Sequence, residues 1–197
     1  MVETSGRAEA PAPPSSRDRL VLAAMAAFRA RGYAGTGVAE ILKRSGLPKG
    51  SLYHHFPNGK ADLAAAAAKW AGREMGGLIE ATFRAAPDWR SGVETLCRRL
   101  AKLYEISDDE LGCPVAGALL DGDQPVEARA LAARIYDEWT SLAAGHLERL
   151  GAPEPTRTAE TLLYLMQGAW VLARARRSGA PLVEIADRVI GPAPAKS

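Results

Sequence analysis

The chain has 197 residues, 47% of them hydrophobic and 24% charged, which excludes a disordered or fibrous polymer and allows one domain, or a small head on a larger body. The net charge of +2 hides an asymmetry: residues 1–60 hold nine Lys or Arg against four acids, while the remainder is more acidic than basic. A basic head on an acidic body is the distribution expected of a module that binds a polyanion.

Residues 1–14 carry Pro11, Pro13 and Pro14 without any apolar period and are expected as a disordered tail. Ser15 and Asp18 then have capping-box spacing ahead of a helix with Val21, Ala24, Met25 and Phe28 on one face, stopping at Gly32. Thr36 can cap a short helix lined by Val38, Ile41 and Leu42. Gly46-Leu47-Pro48 makes a turn, and a second short helix starts at Pro48. Pro57-Asn58-Gly59 is the next break, followed by a long helix over about 60–83, and Asp88 caps another reaching Glu105 or Ile106. An acidic loop at 107–112 leads to a short helix at 114–120. After Asp121-Gly122-Asp123, with Asp123 as N-cap and Pro125 in the first turn, a long helix ends at Gly151. Helices over 156–177 and 181–190 and a tail at 191–197 complete the chain. No strand signature appears, so the expected fold is all-α with about nine helices.

Ile41, Leu47, Leu52 and Phe56 form an apolar wedge between the two short helices, and a glycine turn joins them. That is the helix-turn-helix pattern. Lys49, Ser51, Tyr53 and His54 cannot all share the inner face with Leu52 and Phe56, so several must project outward. They offer a cation, a hydroxyl, a phenol and an imidazole, Gly50 permits close backbone approach, and the helix N-terminus suits phosphate oxygens. His55, beside the wedge, reads as a packing residue.

Gly32-Tyr33, Thr36, the Gly46 turn, Lys49-Gly50-Ser51-Leu52-Tyr53-His54-His55-Phe56 and Lys60 together resemble the TetR family of one-component repressors. The stretch Leu47-Pro48-Lys49-Gly50 through Pro57-Asn58-Gly59-Lys60 is similar to the LmrA/YxaF-type subgroup, as is Gly112-Cys113-Pro114. The strong match covers about residues 15–64; the body matches by helix count and the Cys-Pro element. Pro48 departs from the Ser or Thr cap of many relatives, so a phosphate contact by that hydroxyl is absent here. The resemblance implies a helix-turn-helix domain at 15–62 and a ligand-binding and dimerisation domain at 63–190. It also implies DNA backbone contacts by Thr36, Lys49, Tyr53 and Lys60, and base approach by Gly50, Ser51 and His54. Its further implications are a homodimer through the last two long helices and a small-molecule pocket in the body.

The body offers Trp70, Tyr104, Tyr136, Trp139, Tyr164 and Trp170, with Met166 and Gln167, as candidate lining for a small apolar or aromatic effector. Each also suits an ordinary core. Leu162, Leu165, Ala169 and Leu172, with Leu182, Ile185 and Val189, give apolar faces for a four-helix dimer contact. Cys97, Cys113 and His146 lack metal-ligand spacing, and the Asp121–Asp123 fragment lacks the later ligands of a calcium loop, so no metal or cofactor is expected. No nucleophile elbow, P-loop or dinucleotide fingerprint points to an enzyme. The two cysteines are too sparse for a secreted disulfide scaffold, and the apolar run at 20–28 is followed at once by Arg29 and Arg31, so neither secretion nor a membrane span is expected. The expected protein is a cytoplasmic, homodimeric, ligand-responsive repressor on a pseudo-palindromic double-stranded DNA operator. The alternative is a helical small-molecule-binding protein that does not read DNA.

Overall fold

Helices account for about three-quarters of the backbone in the computed structural model, which describes residues 13–107 and 112–191. In chain order they are α1 (Ser16–Arg31), α2 (Val38–Ser45), α3 (Lys49–His55), α4 (Lys60–Arg84), α5 (Trp89–Glu105), α6 (Pro114–Leu119), α7 (Val126–Arg149), α8 (Pro155–Arg176), α9 (Ala180–Val183) and α10 (Ile185–Ile190). No strand occurs among the described residues. Only Glu184 parts α9 from α10, so the expected nine helices are recovered when these two count as one bent helix. The acidic loop at 108–111 and the tails at 1–12 and 192–197 lie outside the described residues.

The Ser15 cap at the start of α1 is formed, with Asp18 bonded to the Ser15 hydroxyl and not to its backbone N–H as a capping box would have it. Ser15 accepts the Asp18 N–H at 3.1 Å, and its hydroxyl donates to the Asp18 carboxylate at 2.7 Å, a pairing worth about 1 kcal/mol. Leu20, Val21, Ala23, Ala24, Ala27, Phe28 and Ala30 are buried, more than one helical face can hold. The reason is that α1 is covered by α2 and α3 as well as by α4 and α6. The 25-residue α4 leaves the short helices and packs on α1, α5, α6 and α7. Its buried alanines (Ala64, Ala67, Ala68 and Ala71) suit such close approach. Beyond it α7 packs on α8, and α9 and α10 close the far end against α5 and α8. One continuous apolar core runs from Ile41, Leu52 and Phe56 to Leu182 and Ile185.

Two caps differ from expectation. Gly37, not Thr36, precedes α2, and no side chain caps that helix. Thr36 is turned inward, where its hydroxyl donates to the Gly32 carbonyl at 2.7 Å and lies 3.2 Å from that of Ala27. Asp123 is exposed and does not cap α7. Pro125 fills the N-cap position, and the buried Gln124 side chain donates to the Ala118 carbonyl at 3.1 Å. Pro48 likewise stands one residue before the helix it was expected to open.

α6 meets α1 backbone to backbone. A Cβ added at Gly117 would lie 2.5 Å from the Phe28 carbonyl oxygen, which belongs to a rigid helix and cannot yield. An alanine elsewhere in a helix gains about 1 kcal/mol over glycine. Here Gly117→Ala is expected to destabilise the protein by about 1–3 kcal/mol in urea unfolding, because the overpacked contact outweighs that gain. A neutral or stabilising result would show that α6 is not seated this tightly.

Candidate nucleic-acid interface

The geometry of the two short helices follows from their apolar residues. Ile41 and Leu52 are fully buried and Phe56 nearly so, while Val38, Leu42 and Leu47 pack partly buried against them. Gly46 ends α2 in the left-handed region (φ 64°, ψ 28°), its N–H reaching the Leu42 and Lys43 carbonyls, and Leu47 N–H bonds Leu42 at 3.3 Å. A non-glycine residue would be strained in that conformation. From α1, Arg19 donates to the Ser45 carbonyl at 2.7 Å, so a cation satisfies the C-terminal end of α2.

The wedge fixes which side of α3 faces out. Lys49, Gly50, Tyr53 and His54 are exposed, Ser51 is half-buried, and a Cβ on Gly50 would meet nothing within 4 Å. Tyr53 is 46% exposed, with the Lys49 ammonium 5.9 Å from its ring centre. His55 is half-buried, edge-on to Phe56 at 6.4 Å between ring centres. Lys60 opens α4 with its ammonium 4.0 Å from the ring centre of Tyr33. Burial pulls the Lys60 pKa down, and the nearby Asp121 carboxylate opposes it. Six of the seven expected DNA-facing residues thus lie on α3 or at the start of α4. Thr36 does not join them, because its side chain is 1% exposed and its hydroxyl is used inside the fold.

Two side chains tie this unit to the rest of the chain, and sequence spacing pointed to neither. Asp121, in the turn after α6, accepts the Ala34 N–H at 2.9 Å. Its carboxylate occupies the space where a Cβ on Gly32 would sit, 2.2 Å from one oxygen, so position 32 requires glycine both for this contact and for its φ of 72°. From α8, Arg174 donates to the Ala30 carbonyl at 2.6 Å. Arg29, in the last turn of α1, is half-buried beside Cys113 and makes no such tie.

Comparison with known proteins bears on what this arrangement does. Residues 20–67 match the model described as "Bacterial regulatory proteins, tetR family", and residues 90–188 match that of the "Transcriptional regulator LmrA/YxaF-like, C-terminal domain". The chain is 31% identical over 177 residues to the HTH-type transcriptional regulator LmrA of Bacillus subtilis (strain 168), covering 87% of this chain and 93% of that protein. It belongs to the TetR family of transcriptional regulators. Among solved structures, a regulatory protein TetR from Rhodobacter sphaeroides superposes with a TM-score of 0.80 at 23% identity, covering 88% of this chain and 96% of that one. A cysteine mutant of the TetR family regulator CifR, solved with 26-bp double-strand operator DNA, has a TM-score of 0.75 at 24% identity over 94% of this chain and 98% of its own. As a TetR-family member the chain is a DNA-binding transcriptional regulator, and its family is one of regulators rather than enzymes.

The eight aromatic and polar candidates in the body of this TetR protein do not converge on one cavity. Tyr104 is fully buried and donates to the Ala173 carbonyl at 2.9 Å. The indole of Trp139 donates to the Gly72 carbonyl at 2.9 Å, beside an open groove of about 510 Å³ between α4 and α7. Tyr136 is half-buried with its hydroxyl 3.4 Å from Cys113 Sγ; burial pushes its pKa up, and Cys113 adds to the rise. Trp70 is half-buried under the Arg73 guanidinium, and Met166 is core. The Gln167 amide nitrogen is buried without a partner. Tyr164 is 69% exposed and faces away from the core. Trp170 lines a mostly apolar, partly open cavity next to α1, with Arg29 and Glu74 also on its wall.

The dimer candidates divide in the same way. Leu162, Ala169, Leu182 and Ile185 are buried in the chain's own core, Leu165 and Val189 are half-buried, and Leu172 is 46% exposed. The outward stripe of α8 is Tyr164, Gly168, Val171 and Leu172. It borders a shallow groove of about 170 Å³ floored by Ala169 and Ile185.

Among the described residues no group of His, Cys, Asp and Glu could hold a metal ion, and no helix is long and apolar enough to cross a membrane. His146 pairs with Glu80 at 2.6 Å and stacks on Phe83. That hydrogen bond, with help from Arg84, holds the Glu80 carboxyl below its usual range. Burial raises the Cys97 thiol to about 12, which leaves it protonated and unreactive at neutral pH.

Proposed function

We propose that this regulator is a ligand-responsive repressor that binds a pseudo-palindromic operator as a homodimer. In this reading residues 15–62 are the DNA reader, and 63–190 bind the effector and the second subunit. The observation that carries it is the outward face of α3, where Lys49, Gly50, Ser51, Tyr53 and His54 stand together while Leu52 and Phe56 hold the helix from behind. Lys49, Tyr53 and Lys60 take the phosphate contacts, and Gly50, Ser51 and His54 approach base edges in the major groove. Thr36 supports the turn instead of touching DNA. Two such readers on a two-fold axis meet successive major grooves about 34–36 Å apart. A cytoplasmic location follows from the operator it must reach.

The second subunit docks on the exposed stripe of α8. Tyr164 and Val171 are each 69% exposed there, a large apolar surface for one helix to leave in water. Tyr164 therefore serves the dimer and not the effector. The effector favours one body shape over another, and it shifts operator affinity by no more than its differential affinity for the two.

Two experiments test this reading. Lys49→Ala and Lys60→Ala are expected to weaken binding to operator and unrelated duplex alike, each lowering the slope of log K against log salt by about 0.9. Unchanged affinity and slope in both variants would refute the contact assignment. Tyr164→Glu and Leu172→Glu are expected to sediment as monomers at concentrations where the parent is dimeric; a dimer that survives both places the interface elsewhere.

A further inference from the structure

Arg29 follows Leu22 and Met25 along one stripe of α1, at steps of three and four residues. All three are half-buried at the edge of the helix's buried face, and Arg29 stands at the junction of α1 with α4, α5, α6 and α8. There it lines a cavity of about 290 Å³. Its Nε is buried without a hydrogen-bond partner, and Arg29 forms no ion pair among the described residues, although Glu74 stands on the same rim. Burial pulls its pKa below the usual guanidinium value, opposed by Cys113. A guanidinium nevertheless keeps its proton at any physiological pH. Arg29 is half-buried, and a partly desolvated cation without an ion partner favours an anion beside it, so the cavity offers an open positive charge to a ligand.

The remaining wall narrows the choice of anion. Met25, Met75, Leu78, Leu103 and Trp170 are apolar, and Met and Trp adapt well to a flat or flexible hydrocarbon. The volume equals about ten waters at ~30 Å³ each, so the occupant has on the order of ten non-hydrogen atoms. Inorganic phosphate or sulfate would leave the apolar walls empty, whereas a carboxylate fits the planar fork of Arg29 and can carry an apolar tail. We propose that this junction cavity binds a small organic carboxylate, its charged end on Arg29 and its apolar part among Met75, Leu78 and Trp170.

The position has a consequence for regulation. Arg29 also borders a second, polar cavity of about 370 Å³ that includes Gly32, Asp121 and Arg174, the residues that seat the end of α1. An occupant of the first cavity is thus one side chain away from the joint that holds the DNA-reading helices. This names the effector class for the ligand response proposed above, and it rests on that reading only for the coupling to DNA.

The test is calorimetric titration of the full chain with octanoate and 2-naphthoate, and with the neutral octanamide and 2-naphthamide. The parent is expected to bind the carboxylates about tenfold or more tightly than the amides. Arg29→Met should lose that margin for carboxylates, keep its affinity for amides, and unfold without ligand at the same or a higher temperature than the parent. Leu103→Trp, which keeps Arg29 and fills the cavity from its partly exposed edge, should lose both ligand classes. Absence of carboxylate binding to the parent, equal binding of amides, or carboxylate affinity within about twofold in Arg29→Met would each overturn the proposal. Operator binding without ligand is measured alongside. Its loss would refute the DNA-reading assignment and leave the cavity proposal standing, while carboxylate binding that leaves operator affinity unchanged would refute ligand response alone.

Discussion

The last turn of α1 is held from three directions, and the placement of the DNA-reading helices follows from that seat. Asp121 reaches across 87 residues of sequence to take the Ala34 N–H, and its carboxylate occupies the space that Gly32 leaves open. Gly117 lets the α6 backbone lie against the Phe28 carbonyl, and Arg174 brings a cation from α8 to the Ala30 carbonyl at the C-terminal end of α1. The Ala30 carbonyl is one of those a helix leaves over at its C-terminal end, and Arg174 supplies its partner. Without these contacts α1 would be fastened to the body mainly by apolar packing, which resists separation but allows sliding.

From this seat the reader is built outward by short-range constraints. Thr36 closes the turn after α1 on the Gly32 carbonyl, Arg19 caps α2, and Gly46 sets the angle between α2 and α3. Ile41, Leu52 and Phe56 then leave α3 only one way to face. The side chains proposed to meet phosphates and bases are therefore positioned by residues outside that proposed set. A change at the body end of α1 is transmitted to α3 through packed helices and not through a flexible linker. Arg29 stands at that end with an unpaired charge, which is where a small anion would have leverage on the whole unit.

What was legible in the sequence is what local rules decide. The Ser15 cap, the Gly46 turn, the breaks at Pro57-Asn58-Gly59 and Asp121-Gly122-Asp123, and the inward Leu52 and Phe56 all depend on near neighbours, and the structure has them in place. Thr36 defeated the local rule because its hydroxyl found acceptors in the preceding helix instead of the following one. Asp121 read as an ordinary breaker, since its partner is Ala34 and nothing in one sequence announces a bond that long. The body aromatics could not be sorted, because amphipathic spacing does not tell a residue facing a cavity from one facing core or a second subunit. Tyr104 and Tyr164 have the same chemistry and opposite exposure. Arg29 did carry a signal, as a cation continuing the apolar stripe of Leu22 and Met25, but only the packed structure shows that no carboxylate meets it.

The claim that the seat of α1 governs DNA reading can be isolated at Asp121. Asp121→Asn and Asp121→Ala remove the same charge next to Lys60, but only the asparagine keeps an oxygen that can accept from Ala34. Operator affinity of the two variants, measured by fluorescence anisotropy at one salt concentration, therefore separates the tie from the electrostatics. The alanine variant is expected to bind several-fold more weakly, on the order of the 1–1.5 kcal/mol of one lost hydrogen bond. Equal affinity of the two would mean that α3 is positioned without the Asp121 tie, and the account would be contradicted.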